Sequence, residues 1–99
     1  MNIAGYRFVD LNDLDELQAK LRSLCLDLGL KGTVLLAPEG INFFIAGTPA
    51  SISEFTGVLE KDSRFGDIPL KVSYTDYQPF NRMNVRKKNE IISVGLEHI

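Results

Sequence analysis

Residues 31–47 read Lys-Gly-Thr-Val-Leu-Leu-Ala-Pro-Glu-Gly-Ile-Asn-Phe-Phe-Ile-Ala-Gly, and the reading of this stretch decides the fold. Two apolar runs, Lys31–Pro38 and Ile41–Gly47, are joined by Pro38-Glu39-Gly40, whose residue types favour a tight turn, so the pair predicts a β-hairpin. Successive strand residues point to opposite faces. Phe43 and Phe44 are therefore expected on opposite sides of the sheet, one in the core and one on the other surface. Asn42 is a poor strand former inside an apolar run, and its amide is a candidate to serve either a ligand or a neighbouring backbone.

Working outward, Leu14, Leu17, Leu21, Leu24, Cys25 and Leu28 recur at three- and four-residue steps, which predicts an amphipathic helix ending at Gly29. The short polar side chains of Asp10-Leu11-Asn12-Asp13 suit its start, and the apolar residues of Ile3–Val9 predict a strand before it. Beyond the hairpin, Thr48 before Pro49 is a good helix start, with Ser51 and Glu54 as a rival capping box. Ile52, Phe55, Val58 and Leu59 give that second helix a buried face, running to about Asp62. The alternation of Leu70, Val72 and Tyr74 within Ile68–Tyr74 predicts a last strand covered on one face.

The order strand, helix, strand, strand, helix, strand predicts an α+β, ferredoxin-like βαββαβ fold, a four-stranded antiparallel sheet with both helices on one face and the other face open. The domain is expected to span residues 1–77. Residues 78–99 then read as a basic linker, in which the short apolar run Ile91, Ile92 and Val94 reaches toward something else.

At 99 residues, 44% apolar and 24% charged, the chain is one small globular domain, too short for two. The formal charge of −2 announces neither nucleic acid nor membrane. Its distribution is less even: residues 1–78 hold seven basic and eleven acidic side chains, whereas residues 79–99 hold four basic and two acidic. No apolar stretch has the length of a signal peptide or a membrane span, so a cytoplasmic protein without membrane contact is expected.

Catalytic chemistry is hard to place in these residues. Cys25 and His98 are the only cysteine and the only histidine, which argues against an intrachain disulfide and against a zinc site. Cys25 lies on the apolar helix stripe and reads as a buried, inert thiol. The acids follow no metal-ligand spacing, and neither Lys31-Gly32-Thr33 nor Glu39-Gly40-Ile41-Asn42 matches a phosphate-cradling loop. No cofactor, metal or catalytic residue is expected. The candidate contacts to nucleic acid or to another domain are Arg82, Arg86, Lys87 and Lys88, which suit phosphates, together with Asn42 and Phe44 on the sheet.

Two long motifs add to this reading. Lys31-Gly-Thr-Val-Leu-Leu-Ala-Pro-Glu-Gly-Ile-Asn42, with Ala46-Gly47, and Gln78-Pro-Phe-Asn-Arg-Met-Asn-Val-Arg-Lys-Lys-Asn-Glu-Ile-Ile92 resemble the N-terminal domain of the bacterial rhodanese-like family that contains the tRNA uridine hydroxylases, also described as sulfurtransferases. Glu39, Gly40, Ile41 and Asn42 match the family's first motif; Phe80, Arg82, Met83, Val85, Lys87, Lys88 and Glu90 match its second. The resemblance covers essentially the whole chain. It implies an acylphosphatase-like domain ahead of a rhodanese domain, the latter supplying the cysteine that modifies the wobble uridine. This chain is then expected to be inactive alone, an accessory domain whose partners are the downstream rhodanese domain and tRNA. Phe43-Phe44 stand where many members have Gly-Thr, which leaves hydroxylase and sulfurtransferase both open. Two rival functions remain: a stand-alone regulatory module that binds a small ligand, and acylphosphatase chemistry, for which the passage Val9-Asp10-Leu11-Asn12 lacks a glycine-rich, arginine-bearing cradle.

Overall fold

The computed structural model describes residues 1–88. Its elements are β1 (Asn2–Phe8), α1 (Leu14–Asp27), β2 (Lys31–Ala37), β3 (Gly40–Ala46), α2 (Pro49–Glu60), β4 (Lys71–Ser73) and β5 (Met83–Lys87), with a 3-10 turn at Ser63–Phe65. The sheet order is β4-β1-β3-β2-β5. The βαββαβ order read from the sequence is present, and the central hairpin pairs Ala37 with Gly40 across a turn at Pro38 and Glu39.

Five strands stand where four were expected. The fifth comes from the stretch read as a linker: Met83–Lys87 pairs in parallel with β2, setting Val85 opposite Val34. Charge explains why periodicity concealed it, since Arg86 and Lys87, followed directly by Lys88, end a strand in which only Val85 is fully buried. Among the residues expected to belong to the linker, Ile91, Ile92, Val94 and His98 lie outside the described residues.

Both helices pack on the face that carries Ile3, Val34, Leu36, Ile41, Phe43, Ile45 and Val85. From α1 come Leu17, Leu21 and Cys25, and from α2 Ile52, Phe55 and Leu59. The Phe43 and Phe55 rings meet edge to face at 5.5 Å, which joins β3 to α2 at the centre of the core. Each fully buried side chain of this size contributes about 1.5–3 kcal/mol.

The caps follow local chemistry. Gly29, at φ 69°, lets the Leu30 and Gly29 amides return to the Cys25 and Leu26 carbonyls at 2.9 and 3.1 Å, a Schellman ending for α1. Thr48 Oγ1 accepts from the Ser51 amide at 3.1 Å, so Thr48-Pro49 begins α2. The rival box is not used, because Ser51 Oγ donates instead to the Leu28 carbonyl at 2.8 Å and ties the end of α1 to the start of α2.

β4 is shorter than the alternation predicted. It pairs with β1 over Lys71, Val72 and Ser73 alone. Pro69 has no amide to donate to a ladder, and Asp67 adopts φ 57°, so the chain joins the sheet late. At the sheet edge Leu70, Val72 and Tyr74 are exposed rather than covered.

Candidate functional site

The face of the sheet opposite the helices is assembled by register. Residues directly opposite one another share a face. Phe43 lies in the core, so Phe44 points the other way, and the row through it runs Lys71, Ala4, Phe44, Thr33, Asn84 from edge to edge. The next row is Tyr6, Asn42, Leu35, Arg86. Beyond these lie Phe8 and Gly40 at one end, and Asn2, Ser73, Ala46 and Lys31 at the other.

Tyr6, Phe8 and Phe44 are 60%, 51% and 50% exposed, large values for aromatic residues on regular strands. Tyr6 and Phe8 contact edge to face at 5.7 Å, and Phe44 meets Phe80 in the same way at 5.3 Å. Phe80 is held there by its own segment: the Phe80 amide donates to Gln78 Oε1 at 3.3 Å, and Gln78 Nε2 donates to the Ala46 carbonyl at 3.2 Å. The half-buried amide of Asn42 lies in the row between Tyr6 and Leu35.

The cations divide. Arg86 is on this open face, and exposed Arg82 and Lys88 flank β5, held through their backbones to Gly32 and Leu36. Lys87 is on the helix side, where its ammonium donates to the Asp15 carboxylate at the start of α1. Thus Asn42, Phe44 and Arg86 come together, while Lys87 is separated from them by the thickness of the sheet. The sequence also gave no reason to place Tyr6, Phe8, Lys31 and Lys71 on the same face. Their strand alternation was available as a signal, but the pairing partners were not.

At the outer edge of β5, the Val85 carbonyl accepts from Gln18 Nε2 at 2.8 Å and Arg22 Nη2 at 3.2 Å. This occupies one acceptor of an edge strand and ties it to α1. A second concavity, of about 340 Å³, lies between the N-terminus, the start of α2 and Thr75–Pro79. Buried Asn2 lines it, with Nδ2 directed to Ser73 and Thr75 and Oδ1 without a hydrogen-bond partner among the described residues.

Among the described residues no cluster of His, Cys, Asp or Glu has the arrangement of a metal site. Burial pushes the Cys25 thiol up to about 12, so at neutral pH it is protonated and inert. The passage from β1 to α1 is closed against the hairpin: the Val9 and Leu11 amides donate to the Glu39 and Pro38 carbonyls at 3.0 and 2.9 Å. Those two donors are therefore committed within the fold, which argues against an anion cradle in this loop.

Residues 1–91 match the family described as UPF0176 acylphosphatase like domain. The chain belongs to that family. Among similar proteins, a tRNA uridine(34) hydroxylase of Cupriavidus pinatubonensis is 55% identical over 94 residues, covering 95% of this UPF0176 acylphosphatase-like domain and 33% of the relative. A protein of the same name from Thiobacillus denitrificans is 52% identical over 96 residues, covering 97% of this chain and 39% of the relative. This domain thus spans a little over a third of the length of such relatives, or less.

Solved structures agree on the architecture. An acylphosphatase from Bacillus subtilis superposes with a TM-score of 0.64 at 12% identity, over 85% of this chain and 94% of that one. The dark-state structure of BlrB, a BLUF protein, gives 0.68 at 18% identity, over 97% and 78%. At these identities the likeness concerns the fold, which is the acylphosphatase-like form of the ferredoxin fold expected from the motifs. No helix among the described residues is long and apolar enough to cross a membrane.

Proposed function

We propose that this chain is the accessory domain of a rhodanese-like enzyme that modifies the wobble uridine of tRNA, and that it positions the tRNA by its phosphates. The observation that carries the reading is identity of about half over nearly the whole chain to proteins named tRNA uridine(34) hydroxylase. Chemistry at the uridine belongs to the remainder of such an enzyme, and the setting is the cytoplasm, where tRNA is modified. Cys25 is protonated and enclosed, so it is no candidate for the catalytic thiol.

Arg82, Arg86 and Lys88 supply the phosphate contacts. Arg86 lies in the edge strand β5 and Arg82 and Lys88 flank it, and none has an ion-pair partner among the described residues, so their charge is available to an anion. The test is titration of the chain with transfer RNA at increasing salt. Three phosphate contacts predict a slope of log K against log salt of roughly −3. Absence of binding at low salt, or binding indifferent to salt, overturns the reading. A chimera in which this chain replaces the matching segment of the Thiobacillus denitrificans relative should still hydroxylate the wobble uridine, scored by nucleoside mass spectrometry.

A further inference from the structure

We propose that the open face of the sheet is a stacking platform for unpaired nucleobases, with Tyr6 and Phe44 as the two stacking rings and Asn42, a neighbour of both, as the hydrogen-bonding group. The proposal rests on the tRNA reading above and specifies which part of an RNA this face takes.

Three observations choose the occupant. First, the strand positions of this face carry three cations, Lys31, Lys71 and Arg86, and no acid, in a chain with 13 Asp and Glu against 11 Lys and Arg. The acids lie elsewhere: Asp15, Glu16, Asp27, Glu54 and Glu60 are on the helices, and Glu39 is in the turn beyond the strand ends. A face rimmed by cations complements a polyanion.

Second, the rings are large, exposed and on neighbouring positions. Tyr6 is opposite Asn42 and Phe44 opposite Ala4, so the two residues are diagonal neighbours, positions whose backbones lie about 7–8 Å apart. Phe80 leans edge-on against Phe44 and fixes its orientation, leaving half of Phe44 uncovered. Exposed aromatic side chains on a sheet are the usual support for single-stranded bases, because every base has a π face.

Third, Asn42 explains itself on this face. Its side-chain amide has no hydrogen-bond partner among the described residues, and it is half-buried between an aromatic and an apolar neighbour. An amide with both donors and an acceptor can pair with the edge of a base stacked beside it. A duplex offers no such base, since its Watson–Crick edges are paired and its ring faces are stacked on one another. The ligand is therefore an unpaired loop or strand, with Arg86 and Lys31 bordering the path of its backbone.

The test uses the whole chain and three RNA probes: a hairpin with an unpaired uridine-containing loop, oligouridine, and a blunt duplex of matched length. The platform predicts that Phe44→Ala and Tyr6→Ala each weaken loop and oligouridine binding roughly tenfold while leaving duplex binding and the salt slope unchanged. Phe44→Tyr should retain binding, and Phe44→Leu, which keeps the apolar surface but loses the ring face, should not. A Tyr6→Trp chain should show indole quenching by oligouridine and none by duplex. All of these residues are exposed, and thermal unfolding verifies that each variant is folded. RNA binding that depends on salt but not on Tyr6 or Phe44 overturns the platform and leaves the tRNA reading standing. No binding to any probe overturns both. Equal performance of Phe44→Leu and the parent, with loss only in Phe44→Ala, overturns stacking in favour of plain apolar contact with the RNA.

Discussion

The Arg64 guanidinium donates to the Asp13 carboxylate at 2.8 and 3.2 Å, fastening the residue that precedes α1 to the 3-10 turn that follows α2. Asp13 begins α1 without capping it through its side chain, because that carboxylate is engaged by Arg64. Asp62 holds the other side of the guanidinium at 2.7 and 3.0 Å.

This clasp predicts a pH dependence of stability. Arg64 lowers the Asp62 carboxyl to about 2 from 3.8 and lowers Asp13 as well. A depressed folded-state value means the stabilisation is complete above the unfolded carboxyl range and fades as pH falls from about 4 toward 2. Thermal unfolding between pH 6 and pH 2 should lose stability in that window. Arg64→Gln should remove about 1 kcal/mol at neutral pH and flatten the acid limb; an unchanged limb would assign the acid sensitivity to other groups.

Gly32 adopts φ 126°, and a Cβ there would come within 2.2 Å of the Phe44 carbonyl oxygen. Both the backbone conformation and the space demand glycine. Gly32→Ala should cost at least 3 kcal/mol or prevent folding, measured by urea unfolding. Gly57→Ala is the control, because open space surrounds that position. In mid-helix it should be neutral or stabilise by up to about 1 kcal/mol.

β5 predicts where the folding unit ends. Val85 is 2% exposed and pairs with Val34 in the core. Val85→Ala should lower stability by about 2 kcal/mol. A chain ended at residue 77 lacks this strand and leaves the β2 edge bare, so it should unfold at markedly lower urea or aggregate. Equal stability of the shortened chain would make β5 an appendage.

The two faces of β5 give the neighbouring cations different roles. Arg86→Ala should weaken tRNA binding and reduce the salt slope by about one. Lys87→Ala should leave both unchanged, since that ammonium is committed to Asp15 on the helix side. Reversal of this pattern would place the RNA on the helical face.

Cys25 is fully buried, with its thiol raised to about 12. Under native conditions at pH 8, a maleimide should label it only at the rate of unfolding. Rapid labelling, read by intact mass, would contradict the packing of α1 on the sheet.

Much of the fold was legible in residues 1–65, because helix and strand periodicity is a local property of the chain. The leucine stripe of α1, the Pro38-Glu39-Gly40 turn and the Thr48-Pro49 start each act within a few residues. The opposite orientations of Phe43 and Phe44 follow from the pleat alone. The two motifs made the family legible as well.

Tertiary structure decided the rest. Whether Met83–Lys87 is a linker or a strand depends on β2, about 50 residues earlier, offering a free edge. The grouping of Tyr6 with Asn42, and of both with Leu35 and Arg86, is a matter of register between four strands. Separation of Lys87 from Arg86 likewise follows from strand geometry once the strand exists. The Asp13–Arg64 contact spans 51 positions and has no local signal. Periodicity reports which face of an element is apolar, whereas neighbours across a sheet are chosen by the packing of the whole chain, and this candidate site is made of such neighbours.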